Sequence, residues 1–125
     1  MEEYKQWLNK AEDDLLWTKN SLNGKIWYGA CFSAQQAAEK ALKGYLISYE
    51  KPLRKIHDLR ALLEDCILID KDFRSIRKDS ISLNSYYVVT RYPAYEEIDK
   101  YTQEQAHEAY EHAVKVVEFV KSKLK

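Results

Sequence analysis

The stretch Gln35–Lys43, QQAAEKALK, lies in the middle of a long helical pattern and decides the fold. At about 100° per residue, the small and apolar positions of residues 27–49 cluster about one direction, which predicts a helix face buried in a core. Phe32 and Ile47 share the opposite, polar side, and contact with water alone does not explain them. We therefore predict that this side is a second contact surface, for a partner or a second copy of the chain. Its residues are Phe32, Gln36, Glu39, Lys40 and Lys43. The alternative is a solvent-exposed face held by charge pairs within the helix.

Apolar residues recur at helical spacing over most of the remaining chain. The predicted helices cover about residues 3–22, 26–49, 58–66, 70–87 and 102–124. Gly24 is placed to end the first helix, and Asp70 is a favourable N-cap. Thr102 and Gln105 have the spacing of a capping box. The sequence thus predicts an all-α protein, a helical bundle in a single domain over residues 1–125.

Composition narrows the class of protein further. The 125 residues are 46% hydrophobic and 32% charged, with only three Gly and two Pro, which is typical of one globular domain with long helices. No apolar run approaches the roughly 18 residues of a membrane span, and the charged start is unlike a secretory signal, so we expect a cytoplasmic protein. Cys31 and Cys66 are predicted to be buried thiols. The net charge of zero argues against nonspecific attraction to nucleic acid.

The stretch Ser85–Tyr95, SYYVVTRYPAY, is the least regular part of the chain. It places Arg91 among several tyrosines, and Pro93 biases the preceding residue toward an extended backbone. An Arg fork beside aromatic rings can bind a phosphate through paired hydrogen bonds while a base stacks on the rings. The alternative is that Tyr86 and Tyr87 pack in the core while Arg91 caps carbonyls or pairs with an acidic residue.

Three motifs in this order resemble the prokaryotic HEPN domain: residues 35–43, Ile56–Leu59 (IHDL) and Thr90–Pro93 (TRYP). The resemblance extends over the first and last helices. It implies an up-and-down bundle of about five helices with a four-helix-bundle core, usually a homodimer, often encoded beside a minimal nucleotidyltransferase as a toxin–antitoxin pair. Many members are metal-independent endoribonucleases with an Arg, four to six residues and then a His. Others bind nucleotides or RNA without cleaving them.

The chain departs from the active pattern after Arg91. The positions where the motif histidine would stand hold Glu96, Glu97 and Ile98. Loss of a general base typically lowers a rate by ~10²–10⁴-fold. The resemblance therefore predicts a noncatalytic nucleotide- or RNA-binding module that forms a homodimer and partners a minimal nucleotidyltransferase. Two alternatives stay open: an endoribonuclease that uses Arg91 with another base, and a purely structural dimerisation subunit.

Several residues are assigned to the expected ligand site. Arg91 would contact phosphate, and Lys40 and Lys43 would supply positive potential. Tyr92 or Tyr95 would stack on the ligand or line the cleft. His57 precedes the third helix, where it has a structural role, a contact with the ligand or a role in catalysis. No metal site or cofactor is predicted, since the sequence has no group of His or Cys at ligand spacing.

Overall fold

The computed structural model describes residues 3–87 and 101–124, and within them every regular element is a helix. The elements are α1 (Glu3–Asn23), α2 (Trp27–Ser48), α3 (Leu59–Ile69), a 3₁₀ helix (Lys71–Ile76), α4 (Arg77–Leu83) and α5 (Gln103–Lys123). The prediction of an all-α bundle is confirmed. The predicted bounds of the long central helix, residues 26–49, differ from those of α2 by one residue at each end.

Helix α2 lies at the centre of the bundle and packs against α1, α3, α4 and α5. Its apolar face is made largely of alanines, which let the neighbouring helices approach closely. Fully buried residues on it include Ala30, Ala34, Ala37, Ala38, Ala41 and Leu42. Helix α1 runs antiparallel to it, because Thr18 meets Ser33 at 2.7 Å while Asp14 meets Lys40 farther along α2. The alanine-rich face predicted from the sequence is therefore the interior of the protein.

Side-chain caps start three of the elements. Asp58 accepts a hydrogen bond from the backbone N–H of Arg60 at 2.9 Å and so begins α3. Asp70 is a cap as predicted, accepting from the N–H of Asp72 at 2.9 Å, but a 3₁₀ helix follows it before α4 begins. The predicted capping box at the start of α5 is present, with the Gln105 N–H donating to the Thr102 hydroxyl at 3.0 Å.

The end of α1 corrects the role expected of Gly24. Lys25, not the glycine, adopts the left-handed conformation, with φ 60°. The Ile26 N–H donates to the Ser21 carbonyl at 2.8 Å and the Lys25 N–H to the Leu22 carbonyl at 3.1 Å. These two bonds define a Schellman motif in which the glycine is still the C-cap. The helix continues one residue farther than predicted, so a lysine occupies the position that favours glycine.

Helix α2 ends in the same way, with Glu50 at φ 59°. The Lys51 N–H donates to the Leu46 carbonyl at 3.1 Å. Because a side chain in the left-handed region is strained by roughly 1 kcal/mol, we expect Glu50→Gly to raise the free energy of unfolding by about 0.5–1 kcal/mol. Urea denaturation measures this change. Lys51→Gly, one residue on and outside the left-handed region, is the control and is expected to give no gain; an equal gain in both variants would contradict the strain argument.

Candidate functional site: a buried polar cluster on helix α2

A cluster of polar side chains lies beside α2, buried at its centre and partly exposed at Gln36 and His57. We call it the α2 polar cluster; its members are Gln35, Gln36, Glu39, Lys43 and His57. Glu39 is only 3% exposed and Lys43 only 6%, although both belong to the side of the helix that carries the charges. The loop that contains residues 51–58 leads from the end of α2 to α3, and it brings His57 to the middle of α2.

The spacing of the run explains how the cluster forms on one helix. Gln35, Glu39 and Lys43 are four residues apart, so they lie one above the other on the same face. The Lys43 Nζ donates to Glu39 Oε2 at 2.8 Å, and the Gln35 Nε2 donates to Glu39 Oε1 at 3.2 Å. A buried charge pair is stable only when further hydrogen bonds satisfy it, and Gln35 provides one of them.

His57 makes a further hydrogen-bond contact with the Glu39 carboxylate. Its Nδ1 lies 3.0 Å from Glu39 Oε1 and 3.1 Å from Oε2, and its carbonyl accepts a hydrogen bond from Gln35 Nε2 at 3.2 Å. Because both the ring and the backbone of His57 are held, the loop is tied to α2 at this point. The His57 side chain is nevertheless 45% exposed, so one edge of the ring reaches the surface.

Aromatic rings border the cluster on its outer side. The Tyr87 ring stacks on His57, with centroids 3.9 Å apart and ring planes 12° from parallel. The ring centroid of Phe32 lies 6.0 Å from that of Tyr87. Tyr86 packs against Tyr101 and the core instead, and burial raises its pKa to about 12. The two adjacent tyrosines therefore lie in different environments: Tyr86 packs against the core, and Tyr87 stacks on His57.

Lys40 points to α1 rather than into the cluster. Its Nζ donates to Asp14 Oδ2 at 2.7 Å. Burial raises the pKa of the Asp14 carboxyl, and the hydrogen bond with Lys40 opposes that shift. Lys40 and Lys43 are thus both paired with carboxylates of their own chain, and their contribution to phosphate binding stays a prediction.

The predicted contact surface divides into two parts in the structure. Glu39 and Lys43 are covered by their own chain, whereas Phe32 and Gln36 are half-buried. Contact of these residues with a second subunit stays a prediction. Gln35 was not predicted from the sequence to be a site residue. Its spacing of four residues from Glu39 is the signal that could have placed it in the cluster.

Three residues assigned to the ligand site follow Tyr87 in the sequence. Arg91, Tyr92 and Tyr95 lie outside the described residues. The sequence puts Arg91 four residues after the tyrosine that stacks on His57. Of the expected site, the structure therefore describes His57, Lys40 and Lys43.

Two cysteines and a further histidine lie outside the α2 polar cluster. Cys31 and Cys66 are buried free thiols, as predicted, and burial raises the pKa of Cys31 to about 12. The His112 Nδ1 lies 2.8 Å from Oδ1 of the buried Asp79, a pairing between α5 and α4. In the described part of the chain, no three His, Cys, Asp or Glu side chains are grouped closely enough to hold a metal ion.

Within residues 3–87 and 101–124, no helix combines the length and apolar character needed to cross a lipid bilayer.

The arrangement of helices places the chain among the all-α helical-bundle proteins. The sequence model of the HEPN domain matches residues 4–123. The chain belongs to the HEPN domain family.

Two solved structures are similar over nearly their full lengths. The crystal structure of TT1696 from Thermus thermophilus is 32% identical, covers 98% of this chain and 99% of its own, and has a TM-score of 0.84. The crystal structure of ST0689, described as an archaeal HEPN homologue, is 27% identical, covers 98% of each chain, and has a TM-score of 0.82. A comparison with curated proteins found no match.

Proposed function

We propose that this HEPN domain protein is a noncatalytic module that binds RNA or a nucleotide. The observation that carries the proposal is the stacked pair of His57 and Tyr87, whose rings lie 3.9 Å apart at the surface. The chain leads from Tyr87 to Arg91 in four residues. An exposed imidazole and an aromatic ring, followed four residues on in the sequence by an arginine, are side chains that can bind a nucleotide, which offers hydroxyls, a base and a phosphate.

Each proposed contact has a physical basis. Arg91 holds the phosphate through two parallel charge-assisted hydrogen bonds. Tyr92 or Tyr95 stacks on the base. The motif positions with Glu96, Glu97 and Ile98 supply no imidazole to remove the proton of a 2′-hydroxyl, so the ligand is bound and not cleaved.

We further propose that the protein acts as a homodimer and as the partner of a minimal nucleotidyltransferase in a toxin–antitoxin pair. The half-buried Phe32 and the half-buried cluster member Gln36 support a contact with another chain. The membership in the HEPN family supports the pairing with a nucleotidyltransferase. Size-exclusion chromatography with light scattering tests the first part, and a purely monomeric protein at micromolar concentration would contradict it.

Arg91→Ala tests the ligand site. We expect it to raise the dissociation constant for a fluorescent oligouridine RNA by about 10–100-fold, because a charge-assisted contact contributes about 1.5–3 kcal/mol. Fluorescence anisotropy in the presence of a chelator measures the binding, and a denaturing gel shows whether the RNA stays intact. Arg74→Ala is the matched control, since among the described residues this exposed arginine donates only to the Lys71 carbonyl of its own turn; its affinity should equal that of the wild type.

The same experiment separates the two alternatives. Chelator-resistant cleavage that disappears in Arg91→Ala would identify an endoribonuclease with an unusual base. Absence of any binding to RNA, together with no response to nucleotides in calorimetry, would identify a structural dimerisation subunit. Intact RNA with Arg91-dependent binding supports the proposed function.

A further inference from the structure

We propose that a groove between the end of α2, the loop that follows it and α3 binds a small apolar carboxylate, a molecule with an aliphatic body and one carboxylate group. We call it the α2–α3 groove; it has a volume of about 300 Å³, and four apolar and three charged residues line it. All seven belong to the described part of the chain, and none is a member of the α2 polar cluster. The proposal goes beyond the binding of RNA or a nucleotide and does not depend on it.

The apolar part of the lining selects an aliphatic body. It consists of Leu46, Pro52, Leu68 and Ile69. Leu46 belongs to the core, whereas Leu68 is 86% exposed, so the apolar surface extends from the interior to the solvent. None of the described residues that line the groove is aromatic, so they offer a base no ring on which to stack. The volume is at the lower end of the range of small-molecule sites, which limits the ligand to a short chain.

The charged part of the lining selects an anion. It consists of Lys51, Arg54 and Asp65, two cations and one carboxylate. The Arg54 Nη1 donates to Asp65 Oδ2 at 2.7 Å, so the carboxylate already has a partner in its own chain. Among the described residues, none forms a hydrogen bond or an ion pair with the ammonium group of Lys51. The lining therefore carries one positive charge in excess, which one carboxylate of a ligand would balance.

The backbone at the end of α2 fixes the position of this lysine. Glu50 turns the chain with φ 59°, and the Lys51 N–H donates to the Leu46 carbonyl at 3.1 Å. Glu50 itself lines a neighbouring depression with Glu3, which Lys51 also borders, and it does not line the α2–α3 groove. We therefore expect the carboxylate of the ligand beside Lys51 and its aliphatic body against the apolar part of the lining.

Titration of the full chain with octanoate and octanol tests the site, because the two probes share an eight-carbon body and differ in charge. We expect octanoate to shift the ¹³C-methyl NMR signals of Leu46, Leu68 and Ile69 saturably, with a millimolar or lower dissociation constant. Octanol should bind about two- to fivefold more weakly, the value of one exposed ion pair. Hexanoate should bind about tenfold more weakly than octanoate, because it lacks two methylene groups that the groove covers.

Three variants separate the charge from the apolar surface. Lys51→Met keeps the aliphatic stem without the ammonium group, so its dissociation constants for octanoate and octanol should become equal. Leu68→Ala should weaken both probes and keep their ratio. Lys115→Met removes an exposed lysine of α5 that has no partner among the described residues, and it should bind both probes as the wild type does.

Three results would overturn the proposal. The first is the absence of a saturable shift at the three methyl-bearing residues with octanoate. The second is equal affinity of the wild type for octanoate and octanol, which would reject an anionic ligand and favour an apolar side chain of a partner protein as the occupant. The third is an unchanged preference for octanoate in Lys51→Met, since the anion would then not be held by Lys51.

Discussion

Lys43→Ala is expected to lower the free energy of unfolding by about 3–5 kcal/mol, because it leaves the charge of Glu39 in the interior without its main partner. Glu39 is almost completely buried, and the lost ammonium group lies 2.8 Å from its carboxylate. His57 and Gln35 remain as donors, but neither brings a permanent positive charge. Guanidinium denaturation followed by far-UV circular dichroism measures the change, and the melting temperature should fall by roughly 10–20 °C.

Two controls isolate the effect of the buried pair. Glu39→Gln/Lys43→Met removes both charges at nearly constant volume, so we expect its stability to stay within about 1 kcal/mol of the wild type. Lys121→Ala breaks a pair between α5 and Glu12 of α1 that is about 40% exposed on both sides, and such surface pairs contribute less than about 1 kcal/mol. If Lys43→Ala were as mild as Lys121→Ala, Glu39 would not depend on Lys43 for its charge.

The helical bundle could be predicted from the sequence because it depends mainly on local patterns. The apolar spacing of residues 27–49 and the capping box at Thr102 act within a few turns of one helix. Two features could not be predicted in this way, for physical reasons. A 3₁₀ turn and an α-helix bury residues at similar spacing, so Phe73 and Ile76 predicted a helix after Asp70 without its type. The left-handed residue at the end of α1 depends on where the last hydrogen bond falls, which shifted it from Gly24 to Lys25.

The α2 polar cluster could be predicted only in part from local sequence patterns. Charge pairs within α2 were the alternative considered for its polar side, and the Glu39–Lys43 bond is such a pair. That interpretation placed the pair in water, whereas the structure buries it. One contact that helps to cover Glu39 comes from His57, which lies 18 residues beyond it and reaches it through a loop with no periodicity. A contact over that separation leaves no signal in helical spacing, although the motif Ile56–Leu59 marked the residue as important.

The second large effect is expected at Phe73, which anchors the 3₁₀ helix to the core. Its ring is completely buried, 4.4 Å from Tyr45 of α2 and 4.9 Å from Phe119 of α5 between ring centroids. Removal of such a ring leaves a cavity that rigid helices on two sides cannot fill. We expect Phe73→Ala to lower the free energy of unfolding by about 3–5 kcal/mol, measured by urea denaturation.

Phe73→Leu keeps much of the buried volume, so its effect should be clearly smaller. Leu68→Ala is the surface control, since this residue of α3 is 86% exposed and its truncation should change stability by less than about 0.5 kcal/mol. The graded order of the three variants follows from cavity formation, because the loss scales with the volume that neighbouring side chains fail to fill. Equal losses in Phe73→Ala and Phe73→Leu would mean instead that the edge-on contact with Phe119 matters more than the filled volume.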